Sequence, residues 1–177
     1  MISDELSRTA ATVAGGGQLE DLAQIIDDAE RIFVVGAGRS GLALKMTAMR
    51  LMHLGRTTFV VGETTTPAIG AGDVLLAASG SGTTGSILRA AQKAKEAGAK
   101  VASVTIAPQS ALGELSDAVA AVPAAEKLDR SGASSVQYAG SLFEQTVVLL
   151  GDALFHALWQ RSGQSGEDLW PRHTNLE

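Results

Sequence analysis

The sequence predicts an α/β fold: a three-layer α/β/α sandwich around a five-stranded parallel sheet. Short apolar segments alternate with longer amphipathic ones along most of the 177 residues. The short segments are continuously apolar and mostly β-branched, which is typical of strands that are buried on both faces. Strands that alternate with helices pair in parallel and carry the helices on both faces of the sheet. The expected strand order is 2-1-3-4-5, a common order for doubly wound sheets.

Two helices are predicted before the sheet, over residues 3–13 and 19–26, because apolar residues recur there at helical spacing. Helical patterns also lie between the strands, at 39–55, 84–97 and 110–116. Glycines near several of these segments mark their ends. The five predicted strands are 32–35, 58–61, 74–78, 101–106 and 118–122.

One domain is expected to hold the whole sequence. Its last helical pattern is apolar on nearly all sides, which predicts burial inside the domain or between subunits. The polar tail that follows is either disordered or docked on a neighbouring subunit, and Trp170 favours docking. The expected segments are N-terminal helices at 1–30, a sheet core at 31–123, the buried helix at 139–161 and the C-terminal tail at 165–177.

The composition excludes several classes of function. The net charge is −5 and basic residues form no run, so neither a nucleic acid nor an anionic membrane is expected as a partner. The absence of cysteine excludes disulfides, thiolate metal sites and a cysteine nucleophile. The N-terminus lacks a signal-peptide pattern, and charged residues interrupt the one long apolar helix. A soluble, cytoplasmic protein is therefore expected.

Two glycine-rich turns each join a predicted strand to a predicted helix. They read Gly36-Ala-Gly-Arg-Ser-Gly41 after the first strand and Ser79-Gly-Ser-Gly-Thr-Thr84 after the third. The backbone amides and the helix N-terminus at such a turn form a natural site for an anion. With the strand order 2-1-3-4-5, both turns face one crevice. The candidate ligands for a phosphate or a sugar are Gly38, Arg39, Ser40, Ser79, Ser81, Thr83 and Thr84.

Other interpretations of these turns stay open. Both can be tight turns whose serine and threonine side chains only cap helices. The first turn also fits the dinucleotide fingerprint, with glycines at 36, 38 and 41 and an acidic residue, Glu63, about 20 residues further on. Against this reading, a dinucleotide needs no second anion site. A dehydrogenase would also usually need a substrate domain, for which the chain has no length.

The second turn resembles the phosphate loop of the sugar isomerase (SIS) domain family, Ser-x-Ser-Gly-x-Thr, here Ser79 to Thr84. From about residue 31 to the end, the chain is most similar to the 6-phospho-3-hexuloisomerases of the ribulose monophosphate pathway. Thr174 is one departure, since alanine is more frequent at that position of the family. The similarity lies in residues 36–41, 60–68, 140–145 and 172–177.

The resemblance implies a flavodoxin-like SIS fold and the interconversion of D-arabino-3-hexulose 6-phosphate and D-fructose 6-phosphate. It also implies that no metal or organic cofactor is needed. Family members are commonly tetramers with active sites at subunit boundaries, so a homo-oligomer, expected to be a tetramer, is implied as well. Two alternatives stay open: an isomerase of a pentose or heptose phosphate, and a non-catalytic sensor of sugar phosphates.

Glu144 is the candidate for the base that moves a proton between two carbons. Moving a carbonyl from C3 to C2 passes through a 2,3-enediol, and a carboxylate sheltered from bulk water can take the C2 proton and return it to C3. Spacing alone favours a simpler interpretation, a glutamate in the first turn of a helix that the helix dipole stabilises. The match of residues 140–145 to the family reverses that preference.

A second acid/base group must move protons between the two oxygens, and three histidines compete for this role. His53 lies within a predicted helix, where it is packed or exposed. His156 lies twelve residues beyond Glu144 on one helix. This is about 18 Å along the axis, too far to share a substrate within one chain. His173 lies in the tail, which can reach another subunit, and the resemblance favours it.

Two further polar residues are candidates for contacts with the sugar. Gln137 stands just before the helix that carries Glu144 and is placed to bind a sugar hydroxyl. Glu63 follows the second strand, and three interpretations stay open for it: a sugar contact, a residue that supports such contacts, or plain surface.

Overall fold

The computed structural model of the protein describes residues 1–132 and 135–176. Its centre is an all-parallel sheet with the order β2-β1-β3-β4-β5, which confirms the predicted fold class and strand order. Every strand boundary agrees with the sequence prediction to within one residue. The strands are β1 (Arg31–Gly36), β2 (Thr57–Val60), β3 (Val74–Ala78), β4 (Lys100–Thr105) and β5 (Ala118–Ala121).

Helices cover both faces of the sheet. In chain order they are α1 (Ile2–Gly15), α2 (Gln18–Asp27), α3 (Gly38–His53), α4 (Gly85–Glu96), α5 (Ala111–Leu115), α6 (Ser141–Ser162) and α7 (Gly166–Leu169), followed by a 3-10 turn (Trp170–Arg172). One face packs against α1, α2, α3 and α6 around Val34 and Leu76. The other packs against α4 and α5 around Phe33 and Leu75, since successive residues of a strand point to opposite faces.

α3 and α6 run side by side in the same direction. The two helices approach closely at Gly151 of α6, where a Cβ atom would collide with Thr47 Oγ1. About two turns earlier, Arg39 of α3 meets Glu144 of α6. Beyond the ends of both helices, Gln164 donates a hydrogen bond to the carbonyl of Leu54. These three contacts bring both N-termini to the same edge of the sheet.

The outer faces of α3 and α6 leave large apolar side chains exposed. Leu42, Met46 and Met49 lie on one side of α3 and are 63%, 50% and 47% exposed, and Leu149 of α6 is 42% exposed. The sequence predicts burial of α6 inside the domain or between subunits, and within one chain Leu149 of this helix stays uncovered. Despite these side chains, no helix among the described residues is both long enough and apolar enough to cross a membrane.

The C-terminal tail packs on the end of α3 in its own chain. Arg172 Nη1 donates to the carbonyl of His53 and to Gln164 Oε1, both at 3.1 Å. Its guanidinium also covers Gly55, where a Cβ would lie 3.2 Å from Arg172 Cζ. These contacts satisfy carbonyl groups that the C-terminus of a helix leaves unpaired. Trp170 suggested a docked tail, and the tail docks, but on its own α3.

Gly151→Ala should destabilise the protein even though alanine is the better helix former. The added Cβ would collide with Thr47, and such overpacking costs about 1–3 kcal/mol. The change gains only roughly 1 kcal/mol in helix propensity. Chemical denaturation followed by circular dichroism measures the loss. In a Thr47→Ala background, which removes most of the colliding atoms, the same change should be neutral or stabilising. An equal loss in both backgrounds would contradict this account of the contact.

Candidate active site

The two glycine-rich turns lie side by side at the carboxyl edge of the sheet. β1 and β3 are neighbours, and their register pairs Gly36 with Ala78, the last residue of each strand. α3 and α4 therefore begin next to each other, as the sequence predicts for this switch point. α6 begins at the same crevice. Backbone amides and the partial positive charge at the N-termini of α3, α4 and α6 favour an anion there.

The 36–41 turn owes its shape to its glycines. A Cβ on Gly36 would lie 2.8 Å from the amide nitrogen of Gly41, and a Cβ on Gly41 would lie 2.6 Å from the carbonyl oxygen of Gly36. Gly38 has φ +58°, a conformation that favours glycine. The turn itself requires all three glycines, so their spacing is explained without a dinucleotide.

The 79–84 turn presents four hydroxyl groups that bond chiefly to one another. Ser79 Oγ and Thr84 Oγ1 share a hydrogen bond of 3.0 Å. Thr83 Oγ1 donates to Ser81 Oγ at 3.0 Å. Hydroxyl hydrogens rotate to suit their partners, so these groups can turn from each other to the oxygens of a phosphate.

A cavity of about 610 Å³ lies between the two turns and the start of α6. Residues 125–128 form another part of its wall, and Phe143 of α6 packs against Gly80. Its volume falls in the range of pockets that bind small molecules. Of the predicted site residues, those that line it are Ser40, Ser79, Ser81, Thr84 and Glu144, whereas Gly38, Arg39 and Thr83 belong to the turns but not to the lining.

Glu144 and Arg39 form an ion pair that joins α6 to α3 beside the cavity. The distance from Arg39 Nε to Glu144 Oε2 is 2.9 Å. The Glu144 side chain is 22% exposed and the Arg39 side chain 61%, so the carboxylate is the more sheltered partner. A carboxylate on the wall of such a cavity can exchange a proton with a small molecule bound there.

Glu63 and Gln137 lie outside the main cavity. Glu63 pairs with Lys45 at 3.0 Å and lines a smaller cavity of about 190 Å³ between the ends of β1 and β2. Gln137 donates its side-chain amide to Glu5 Oε2 at 3.0 Å. The structure therefore does not bring either residue to Glu144.

His173 lies at the end of α3 that is far from the cavity. Its ring stacks on His53 with centroids 4.9 Å apart and on Trp170 with centroids 5.1 Å apart. Burial lowers the pKa of the His53 imidazole, and the charges of His173 and Arg50 lower it further. From Gly38 to His53, α3 spans about 22 Å. In this arrangement His173 does not reach the cavity of its own chain.

Two charged residues of the cavity wall, Glu126 and Lys127, belong to no sequence motif. They lie in the loop after β5, where no periodicity or glycine pattern indicates a ligand. The Lys127 ammonium has no hydrogen bond or ion pair with any residue of the described chain. A lysine of this kind offers a cation to a bound anion. Within residues 1–132 and 135–176, no group of three or more histidine or acidic side chains is arranged to hold a metal ion.

Comparison with known proteins identifies the family to which this fold and its two glycine-rich turns belong. The family model of the SIS domain matches residues 25–149, from α2 to the first half of α6. The chain belongs to the SIS domain family, and the resemblance seen in the sequence is confirmed.

Individual members of the family that are similar to this chain carry more specific names. A protein named 3-hexulose-6-phosphate isomerase from Mycobacterium gastri is 52% identical over 177 residues, which cover 100% of this chain and 88% of that protein. A protein of the same name from Bacillus subtilis is 40% identical, with coverage of 99% and 95%. A solved structure from Methanococcus jannaschii, reported to imply the function of 3-hexulose-6-phosphate isomerase, has a TM-score of 0.82 and 30% identity, with 98% of each chain covered.

Ser81→Ala and Thr84→Ala should each weaken the binding of inorganic phosphate. A hydrogen bond to a charged group contributes about 1.5–3 kcal/mol, so the dissociation constant should rise roughly tenfold or more. Isothermal titration calorimetry measures it directly. Thr65→Ala, which alters an exposed threonine after β2, is the matched control and should bind as the wild type does. Unchanged affinity in both turn variants would remove the 79–84 turn from the binding site.

Proposed function

We propose that the protein is an isomerase that interconverts D-arabino-3-hexulose 6-phosphate and D-fructose 6-phosphate. The observation that carries this proposal is one cavity in which a carboxylate, Glu144, and the hydroxyl-rich turn at 79–84 both form the wall. The reaction needs an anchor for the phosphate and a carrier for a proton, and these two elements supply them. The names of the M. gastri and B. subtilis relatives support a 3-hexulose phosphate as the substrate.

The phosphate group binds at the 79–84 turn in this proposal. Hydroxyls and backbone amides there donate to its oxygens at the N-terminus of α4, and Ser40 faces the ligand from the neighbouring turn. The sugar carbons then extend towards the start of α6. Lys127 supplies a cation to an otherwise hydroxyl-based site.

Proton transfer at carbon is assigned to Glu144. The carboxylate takes the C2 proton, and the C3 carbonyl becomes the oxygen of an enediolate. The same carboxyl group returns the proton to C3. The second acid/base group gives a proton to O3 and takes the proton of the O2 hydroxyl, so O3 ends as a hydroxyl and O2 as the new carbonyl. Glu144 loses its negative charge as the substrate gains one, so Arg39, 2.9 Å from the carboxylate, can stabilise the enediolate.

The form of the substrate limits what the second acid/base group must do. In a 3-hexulose with a phosphorylated O6, the O5 hydroxyl could close on C3 only as a strained four-membered ring. The hexulose is therefore open-chain, whereas fructose 6-phosphate closes through O5 and C2. Ring opening is needed only in the direction from fructose 6-phosphate to the hexulose.

His173 is assigned the second acid/base role, from a neighbouring subunit. Within one chain it stacks on His53, about 22 Å along α3 from the cavity. The exposed apolar residues on the outer faces of α3 and α6 offer a surface on which another copy of the chain can pack. The proposal therefore requires a homo-oligomer, which we expect to be a tetramer, with active sites completed by the tails of neighbours.

Incubation of the protein with the 3-hexulose 6-phosphate, with EDTA present, should yield fructose 6-phosphate, and NMR detects the product.

Glu144→Gln keeps the shape of the side chain but cannot accept the proton. It should lose a factor of about 10²–10⁴ in kcat and still bind fructose 6-phosphate. Asp152→Asn, an exposed change about two turns further along α6, is the control and should turn over normally. No conversion by the wild type would overturn the proposed function, and near-normal turnover by Glu144→Gln would move the base to another residue.

Assemblies mixed from Glu144→Gln and His173→Ala chains should regain activity. If His173 acts on a neighbouring site, some sites of the mixed oligomer receive both wild-type residues. The two inactive variants are dissociated, combined and reassembled, and each variant treated alone is the control. A mixture that stays as inactive as its parents would place His173 in the cavity of its own chain. A stable, active monomer in light scattering would also show that His173 does not act on a neighbouring subunit.

A further inference from the structure

Glu5 of α1 is a buried carboxylate that binds a segment far along the chain. Its side chain is 8% exposed. Its Oε2 atom accepts hydrogen bonds from Ser135 Oγ at 2.8 Å and Gln137 Nε2 at 3.0 Å, and Oε1 accepts one from the Val136 amide at 3.0 Å. These bonds, that of Val136 first, lower the pKa of Glu5. A buried carboxylate is stable only when it is paired in this way, so Glu5 and the 135–137 segment hold each other in place.

The bound segment leads directly into the rim of the cavity. Ala139 and Gly140 line the cavity and have φ values of +47° and +80°. Among the described residues, Ala139 is the only one other than glycine with a positive φ. Such a conformation persists only where the surroundings impose it. Ser141 closes the turn by donating its amide and its hydroxyl to the carbonyl of Tyr138, at 3.0 and 2.7 Å.

α6 begins at this rim, and the position of its first turn determines where Glu144 lies. Gly140 is the N-cap of α6, and its carbonyl accepts a hydrogen bond from the Glu144 amide at 3.2 Å. No side chain of the described residues caps this end of the helix, so the incoming segment decides where the helix begins. The ion pair of Glu144 with Arg39 depends on that starting point.

We propose that Glu5 is a positioning residue of the active site. It anchors the 135–137 segment, and the anchored segment holds the cavity rim and the first turn of α6 so that Glu144 stays beside the 79–84 turn. The consequence for catalysis rests on the proposed function of Glu144, whereas the anchoring itself does not. A misplacement of about 1 Å can cost a reacting group roughly a hundredfold in rate. Gln137, expected from the sequence to bind the sugar, completes this anchor instead.

The test compares Glu5→Ala with Val13→Ala, which removes buried methyl groups from the same helix without touching the anchor. Hydrogen exchange followed by mass spectrometry reports on peptides from residues 136–146, with peptides from β3 as the reference. Steady-state kinetics reports kcat and KM. Titration with inorganic phosphate reports whether the 79–84 turn is intact.

Glu5→Ala should raise amide exchange in residues 136–146 by about tenfold or more relative to β3. It should lower kcat roughly 10- to 100-fold and change the phosphate dissociation constant by less than about twofold. Glu5→Gln keeps one acceptor oxygen for the Val136 amide and should fall between Glu5→Ala and the wild type. Val13→Ala should lower Tm but change kcat by less than about twofold, because a distant packing loss does not move the reacting group.

Unchanged exchange in residues 136–146 of Glu5→Ala would overturn the proposal. A normal kcat in that variant, or an equal loss of kcat in Val13→Ala, would also overturn it. If the wild type does not convert the hexulose phosphate, the proposed function fails by itself. Hydrogen exchange then decides alone whether Glu5 anchors the segment.

Discussion

The close contact of α3 with α6 is the constraint on which the rest of this structure depends. Gly151 lets the two helices approach at Thr47, and a side chain there would force them apart. Because the helices are parallel, the register fixed at this point sets Arg39 against Glu144 at one end and Leu54 against Gln164 at the other. The ion pair beside the cavity and the docking of the tail on α3 therefore both depend on how α3 packs against α6.

The cavity wall is assembled from segments that lie far apart in the sequence. The strand ends bring the two turns together, α6 contributes a carboxylate, and the loop after β5 contributes Lys127. α1 does not line the cavity, yet Glu5 holds the segment that enters α6. Local turns thus form the proposed anion site, whereas long-range packing and hydrogen bonds place the carboxylate of Glu144.

The sequence predicts those features that local patterns control. Continuous apolar segments and glycine punctuation place the strands, and the glycine and hydroxyl residues of 36–41 and 79–84 predict two adjacent turns. It does not predict the partners of Arg39 and Gln137, nor the place of Lys127 on the cavity wall. Side-chain pairing between distant segments depends on packing register, and no periodicity in the sequence reports it. The separation of His173 from its own cavity likewise follows from where the tail docks, which composition does not reveal.

The shared orientation of α3, α4 and α6 also has a consequence at long range. All three helices point their N-termini at the cavity, so their dipoles add to a positive potential at that edge of a protein whose net charge is −5. The field turns an approaching dianion towards the open edge of the sheet before any contact forms. Dissolved salt screens such a field beyond about 10 Å. The rate of capture of the proposed phosphorylated substrate should thus depend on ionic strength, whereas the hydrogen bonds proposed to hold it should be far less sensitive to salt.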